Sequence, residues 1–359
     1  MRVANEGFLY YGNTHSMKAI ITAGGRGTRM RPLTFSSNKH LIPLANKPLI
    51  FYAIETVAAA GIKEIGINYN PGQLEELEGV LGGGERWGVK FTYILQEKPR
   101  GLADIVRVSR DFVGEDRFFM HLGDNIFYGG IEALVKRFAK SRANGLVTIL
   151  HHRENWRLGV PYFDKRGRLV KYLEKPAHPP HDWAIPGLYF FDSKVFECFE
   201  GRGAIRPSAR GELEISSPYQ WLIDHGCRVE TKEFKGVWKD PGKFDDWLET
   251  NKFILGEKLG KKVEKSRGIK LRNSVLVGPV IIGAGSVIEE AIVGPYVSIG
   301  DNCRVRRAKV EETIFCDDVV VDSPGKALKK CLIGGGTSIC GNSCEGMELF
   351  LGNQCGLKL

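Results

Sequence analysis

Apolar residues in the first two thirds of the chain fall in short runs separated by amphipathic stretches. Ile20-Ile21-Thr22 is continuous and β-branched, which predicts a strand buried on both faces. Leu49 to Ala60 opens after Pro48 and closes at Gly61, a Pro-in, Gly-out pattern that predicts a helix. Gly66 to Tyr69, Phe118 to Leu122, Val147 to Leu150, Leu169 to Leu173 and Gly187 to Phe191 read as further strands, and Leu102 to Phe112 has helical spacing. Ser216-Ser217-Pro218 predicts the cap of a helix running to Gly226. This alternation, from Met17 to about Gly260, implies an α/β sheet with crossover helices, whose sites form beyond the carboxyl ends of its strands.

The pattern then changes. Glu257 to Gly268 is lysine-rich and poorly apolar, and residues 261–268 read as a linker. After it Ile269, Val275, Ile281, Val287, Val293, Ile299 and Val305 recur every six residues. That period suits neither a helix nor an alternating strand; it predicts a parallel β-helix with hexapeptide sides over residues 269–359. Beyond Glu311 the phase weakens, through Ile314, Val320, Ile333 and Ile339.

Composition adds boundaries to this two-domain picture. The 359 residues contain no run of eighteen apolar residues, so no membrane span is expected. Residues 1–16 lack a basic region followed by an apolar stretch, and read as a disordered extension ahead of a natural start at Met17. The net charge of +9 is dispersed, without basic blocks interleaved with aromatics, which disfavours nucleic acid and favours a small anionic substrate. The eight cysteines form no C-x-x-C pair and no histidine follows His225, so buried thiols in a reducing cytoplasm are expected rather than a metal centre.

The chemistry concentrates at strand ends. The first strand empties into Gly24-Gly25-Arg26-Gly27-Thr28-Arg29, with Lys39 ten residues on. Glycines let backbone amides approach a polyphosphate, and arginine holds phosphate oxygens with a planar fork. Neither a dinucleotide fingerprint nor a Walker-type loop can be read here. Asp124 follows an apolar strand, and Asp240 sits in Val237-Trp238-Lys239-Asp240-Pro241-Gly242; two such carboxylates suit a magnesium ion that also binds substrate phosphates. Glu174-Lys175 can hold a sugar hydroxyl and a phosphate together, and Arg210 can bind phosphate or simply neutralise Glu212 and Glu214. Without a Ser-His-Asp or Cys-His arrangement, positioning and charge neutralisation remain as the means of catalysis.

Taken together, Gly24–Arg29, Lys39–Pro43, Asn46-Lys47-Pro48, Gln96–Leu102, Leu122–Asn125, Glu174–Pro176, Gly187–Tyr189, Arg210–Glu214 and Trp238–Asp240 resemble the glucose-1-phosphate thymidylyltransferases, in their long form. The resemblance runs from Met17 to Leu359, with Glu348 to Gln354 as an apolar tail after the β-helix. It implies a Rossmann-like domain with a mixed sheet over residues 17–260 and a left-handed parallel β-helix after it. It implies that Gly24, Gly25, Gly27, Thr28 and Arg29 cradle the triphosphate of dTTP, that Lys39 contacts the attacking phosphate, and that Gln96, Pro99 and Gly101 form the base pocket. Asp124 and Asp240 would hold Mg²⁺. Gly159, Glu174, Lys175, Tyr189 and Arg210 would hold glucose 1-phosphate, with Trp238 as a wall. A cytoplasmic homo-oligomer with no nucleic-acid or membrane partner is expected.

Several positions depart from that pattern: Thr22 replaces leucine, Asn38 replaces serine, and Asp104 stands where histidine or glutamine is usual. Pro186 and Pro241 replace threonines, and Ser216-Ser217-Pro218 replaces a Thr-Asp-containing cap. Three alternatives stay open at this level. One is another base or hexose, such as UTP; another is a bifunctional acyltransferase, disfavoured because the β-helix has no histidine; the third is a decayed, non-catalytic assembly protein.

Overall fold

The computed structural model describes residues 17–341 and 348–358; the expected extension 1–16 lies outside them. Met17–Thr22 runs through the middle of a mixed eight-stranded sheet, parallel to Glu64–Tyr69 on one side and to Arg117–Leu122 on the other. Lys90–Leu95 extends the first side in parallel. On the second side Leu188–Phe191 pairs antiparallel to both Arg117–Leu122 and Gly145–His151, and Val229–Glu233 runs parallel to the latter. The alternation of side chains explains the continuous apolar runs. Ala19, Ile21 and Phe119 enter the core on one face, while Ile20, Phe118 and Met120 enter the core on the other.

Two local expectations change. The stretch Leu102 to Phe112 is divided at Ser109 into the helices Leu102–Val108 and Arg110–Val113. There the Ser109 hydroxyl donates back to the Ile105 carbonyl at 2.7 Å, a bond with which serine competes against helix continuation. The helix Ser216–Asp224 is preceded by Ile215 at its cap position, and no serine side chain bonds its first turn. Ser216 and Ser217 already lie inside the helix, with Pro218 in the first turn, where its missing N–H costs nothing.

The C-terminal part is a parallel β-helix. Val263–Lys265 pairs with Val280–Ile282, which pairs with Val297–Ile299. The first of these strands lies inside the segment read as a linker, so coiling begins almost directly after the helix Phe244–Leu259. Leu332–Ile333 pairs with Phe350–Leu351, and Ser338–Cys340 with Gly356–Lys358. The residues read as a tail therefore form a further coil of the β-helix.

The six-residue register holds only in part. Val280 stands above Val297, a step of 17 residues, and Ile299 above Phe315, a step of 16, whereas three hexapeptides make 18. A strict six-residue count therefore slips one or two positions in these coils, whereas the later steps from Ile314 to Leu332 and from Leu332 to Phe350 are a full 18. Val293, Ile299 and Val305 face the β-helix interior, but Ile281 points out of it and Val275 is 57% exposed. Val280, Ile282 and Ile288 fill the interior instead.

Ile281, Ile314 and Leu332 form an outer apolar stripe on the β-helix that packs against Trp247, Ile254, Leu255 and Leu259 of the helix Phe244–Leu259, and against Leu44 and Leu49. Polar ties accompany this seam. Asn251, 1% exposed, accepts from the Ala45 N–H at 2.8 Å and from the Ser298 hydroxyl at 2.9 Å. Asn46 donates to the Ile299 carbonyl at 2.5 Å. At the far end Phe350 stacks on Phe244, and Asn353 donates to the hydroxyls of Ser36 and Ser37 at 3.1 and 2.8 Å. The β-helix thus braces the segment from Pro32 to Asn46, which carries Lys39.

Candidate active site

The loop after Met17–Thr22 is anchored before it reaches solvent. Thr22 and Leu122 are in register, and the Gly123 N–H donates to both the carbonyl and the hydroxyl of Thr22, at 3.1 and 3.2 Å. The hydroxyl that departs from the usual leucine therefore helps to join the two loops. Gly123 has no alternative, since a Cβ there would stand 2.1 Å from the Thr22 carbonyl oxygen. Asn38, another departure, donates to the Ala23 carbonyl at 3.1 Å and accepts from the His40 N–H at 2.9 Å. It ties the turn that carries Lys39 to the start of the glycine loop. Gly27 adopts φ +58°, where an added Cβ would meet Thr34 and the Cβ of Lys39 within 3.0 Å.

Lys39, 5% exposed, donates from Nζ to Asp124 Oδ2 at 2.6 Å. Asn125 donates from Nδ2 to Asp124 Oδ1 at 3.0 Å and accepts from the Trp238 indole N–H at 2.9 Å. Burial would raise the Asp124 carboxyl, but the Lys39 charge and these hydrogen bonds hold it below the usual carboxylate range. Asp240 behaves oppositely: the enclosing cleft and the nearby Asp124 carboxylate both push it up, only partly offset by Lys39 and Arg29. Two carboxylates that repel across a cleft, one of them short of cationic partners, are a donor set suited to a divalent cation. Among the described residues no cluster of three or more histidine, cysteine, aspartate or glutamate side chains could hold a metal, so further ligands would come from substrate oxygens. Arg29 lies against Gly242, where a Cβ would come 3.2 Å from its Nη1.

On one side of this centre Gln96 continues from Lys90–Leu95, its N–H bonded to the Tyr69 carbonyl at 2.8 Å. Gly101, at φ +103°, opens the helix Leu102–Val108, and a Cβ there would stand 2.5 Å from the Leu213 carbonyl oxygen. Leu213 accepts from the Ala103 N–H and donates to the Arg100 carbonyl, at 3.0 and 2.7 Å. The Gln96–Gly101 turn is therefore held by the segment that carries Arg210.

On the other side Glu174 ends the strand Leu169–Glu174, and burial raises its carboxyl. Lys175 follows at φ +48°, a left-handed conformation uncommon for lysine, and its N–H reaches the Leu158 carbonyl at 2.9 Å. Gly159 lies under Tyr172, whose ring an added Cβ would meet at 2.4 Å. Arg210 pairs with Glu214 through Nε and Nη2 at 3.1 and 2.9 Å, so without a ligand its charge is answered within the protein.

All these elements surround one cleft of about 670 Å³. Gly24, Gly25, Arg29, Gln96, Pro99, Gly101, Asp124, Gly159, Glu174, Lys175, Tyr189, Arg210, Trp238 and Asp240 line it. Gly27, Thr28 and Lys39 are not part of that lining; Lys39 reaches it through its contact with Asp124, and Thr28 is exposed. The sequence reading left out Asn125, which joins Trp238 to Asp124, and His40, which sits beneath the glycine loop. Burial pushes the His40 imidazole down to about 4. Adjacency to Asp124 and to Lys39 was the available signal for both.

Residues 18–257 match the family model described as nucleotidyl transferase, and residues 265–322 match one described as GlmU-like, C-terminal hexapeptide. The glucose-1-phosphate thymidylyltransferase of Streptomyces griseus is 40% identical over 312 residues, 83% of this chain and 86% of that protein. The low-salt glycan biosynthesis nucleotidyltransferase Agl11 of Haloferax volcanii is 35% identical over 365 residues, 96% of this chain and the whole of that protein. A solved structure from Bacillus anthracis, a candidate glucose-1-phosphate thymidylyltransferase in complex with a sucrose, superposes with a TM-score of 0.61 at 35% identity. It covers 66% of this chain and 94% of that one.

Proposed function

The chain belongs to the nucleotidyl transferase family, and we propose that it transfers the thymidylyl group of dTTP to glucose 1-phosphate, releasing pyrophosphate and forming dTDP-glucose. The observation that carries this reading is that one cleft is lined by Arg29 and the glycine loop, by Gln96 and Gly101, and by Glu174, Lys175 and Arg210. Two phosphate-bearing substrates need two basic regions facing one reaction centre, and Asp124 and Asp240 line the same cleft.

In this reading the 1-phosphate oxygen of glucose 1-phosphate attacks the α-phosphorus of dTTP in line, and the bond to pyrophosphate breaks. Arg29 and the amides of Gly24 to Thr28 bind the triphosphate and offset the charge that develops on it. Lys39 faces the attacking phosphate while holding Asp124 in position. Lys175 and Arg210 bind the sugar phosphate, and Arg210 exchanges its Glu214 partner for it; Glu174, Tyr189 and the Gly159 backbone orient the sugar, with Trp238 closing the wall. A divalent cation, taken as Mg²⁺, would be held by Asp124 and Asp240 and would supply positive charge beside the α-phosphate. Pairing between copies of the β-helix is part of the same reading. It draws support from Val275 and Ile292, in register and exposed on an outer face, and sedimentation velocity tests it.

The deciding measurement is kcat/KM from pyrophosphate release with dTTP, UTP, ATP and GTP against a panel of sugar 1-phosphates. dTTP with glucose 1-phosphate is expected to lead, with UTP closer behind than either purine. A purine nucleotide ahead of dTTP removes the thymidylyl assignment and leaves nucleotidyl transfer.

A further inference from the structure

Gln96 carries an amide whose two ends have opposite hydrogen-bonding character, and its orientation decides what the cleft offers to a base. Nε2 donates to Asp104 Oδ2 at 2.9 Å and to the Gly101 carbonyl at 3.2 Å. A carboxylate and a carbonyl only accept, so both hydrogens of the amide are committed and its orientation follows from the network. Among the described residues no protein group donates to Gln96 Oε1, and Gln96 lines the cleft. Asp104 is itself fixed: it is 2% exposed, on the first turn of Leu102–Val108, and Arg107 donates to its Oδ1 from Nε at 2.8 Å, with Nη2 2.7 Å away.

We infer that Asp104 is a specificity-determining positioning residue that locks Gln96 as a fixed acceptor, so that the cleft selects a base presenting an N–H donor between two carbonyls. This rests on the proposed reaction. Thymine and uracil offer such an imide N–H. Cytosine has a lone pair at the same ring position, which would face Oε1 with neither hydrogen bond nor solvent. Asp104 touches no substrate in this account; it acts through Gln96. A neutral amide at position 104 could donate as well as accept, so Gln96 could turn over and offer Nε2 to cytosine.

The test compares kcat/KM for dTTP and dCTP, each with glucose 1-phosphate, in the wild-type enzyme, Asp104→Asn and Arg107→Gln. The wild type is expected to favour dTTP over dCTP by about a hundredfold. Asp104→Asn is expected to narrow that ratio by about tenfold, mainly through improved use of dCTP. Arg107→Gln, which removes the other partner of the carboxylate and leaves its contact with Gln96, should keep the wild-type ratio. Circular dichroism checks folding, and Asp104→Ser supplies the same comparison if the asparagine variant does not fold. An unchanged ratio in a folded Asp104 variant overturns the inference, as does a wild type that uses dCTP as well as dTTP while still rejecting purines. A wild type that prefers ATP or GTP contradicts the proposed reaction instead, a result readable before any variant is made.

Discussion

Lys39 and Asp124, 85 positions apart in the chain, meet with 2.6 Å between Nζ and Oδ2. The lysine is buried and the carboxylate faces the cleft, so the pair joins the Lys39 turn to the end of the strand Arg117–Leu122. Lys39→Met keeps the aliphatic bulk and removes the charge. Turnover is expected to fall by about two orders of magnitude or more, the scale seen when a charge-stabilising donor is lost. Steady-state kinetics on the folded variant checks this; near wild-type turnover would leave Lys39 a structural residue.

The two aspartates should separate stability from activity. Asp124→Asn leaves the buried Lys39 ammonium without its counter-charge, and is expected to cost roughly 1–3 kcal/mol in urea unfolding. Asp240→Asn removes a carboxylate that Asp124 repels, so its unfolding midpoint should match or exceed the wild type. Both are expected to lose turnover by orders of magnitude, because both face the reaction centre. An active Asp240→Asn would free that residue from the proposed metal site.

Acid should destabilise the fold in a defined window. His40 and His121 are 2% and 0% exposed, and burial lowers each imidazole from 6.5 to about 4. The unfolded chain takes up these protons near pH 6.5, whereas the folded chain resists until about pH 4. The contribution of these groups is therefore complete above about 6.5, declines as pH falls towards 4, and is lost no further below it. The gap is worth on the order of 3 kcal/mol per histidine. His121→Phe keeps the ring packing on Phe127 and should flatten the slope of urea stability between pH 6.5 and 4. An unaltered slope would falsify the assignment to His121.

Much of this architecture was legible because local pattern and tertiary role agree. Ile20 to Thr22, Phe118 to Leu122 and Gly187 to Phe191 are apolar on both faces of a strand, and they lie side by side at the centre of the sheet. The cleft-lining set was legible because strand ends converge. What escaped is set by side-chain and stacking partners that the local pattern does not pair. Coil length is decided by the stacking of whole turns, so a count from Ile269 could not find the slip that turns Ile281 outward. The direction of the Gln96 amide depends on Asp104, whose identity looked only like a departure from pattern. The role of Asn251 depends on Ser298 in the second domain.

The seam offers its own test. Asn251→Ala removes the acceptor shared by the Ala45 N–H and the Ser298 hydroxyl, both of which lie where water is excluded. The loss is expected to be roughly 1–3 kcal/mol in global stability. Because Ala45 belongs to the segment that carries Lys39, turnover should also decline more than KM changes. Calorimetry beside initial-rate kinetics measures both; loss of stability with unchanged turnover would show that the seam does not reach the reaction centre.

The hydrogen bonds from Asn353 to Ser36 and Ser37 span 317 and 316 positions. On a ribosome adding about 5–20 residues per second, the serines emerge roughly 15 to 60 s before the asparagine that braces them. Throughout that interval the α/β sheet can assemble around its own two cores, but the turn next to Lys39 has no bracing coil to rest on. The segment that carries Lys39 is thus made early relative to the coil that braces it, and its working geometry waits on chain 317 positions downstream.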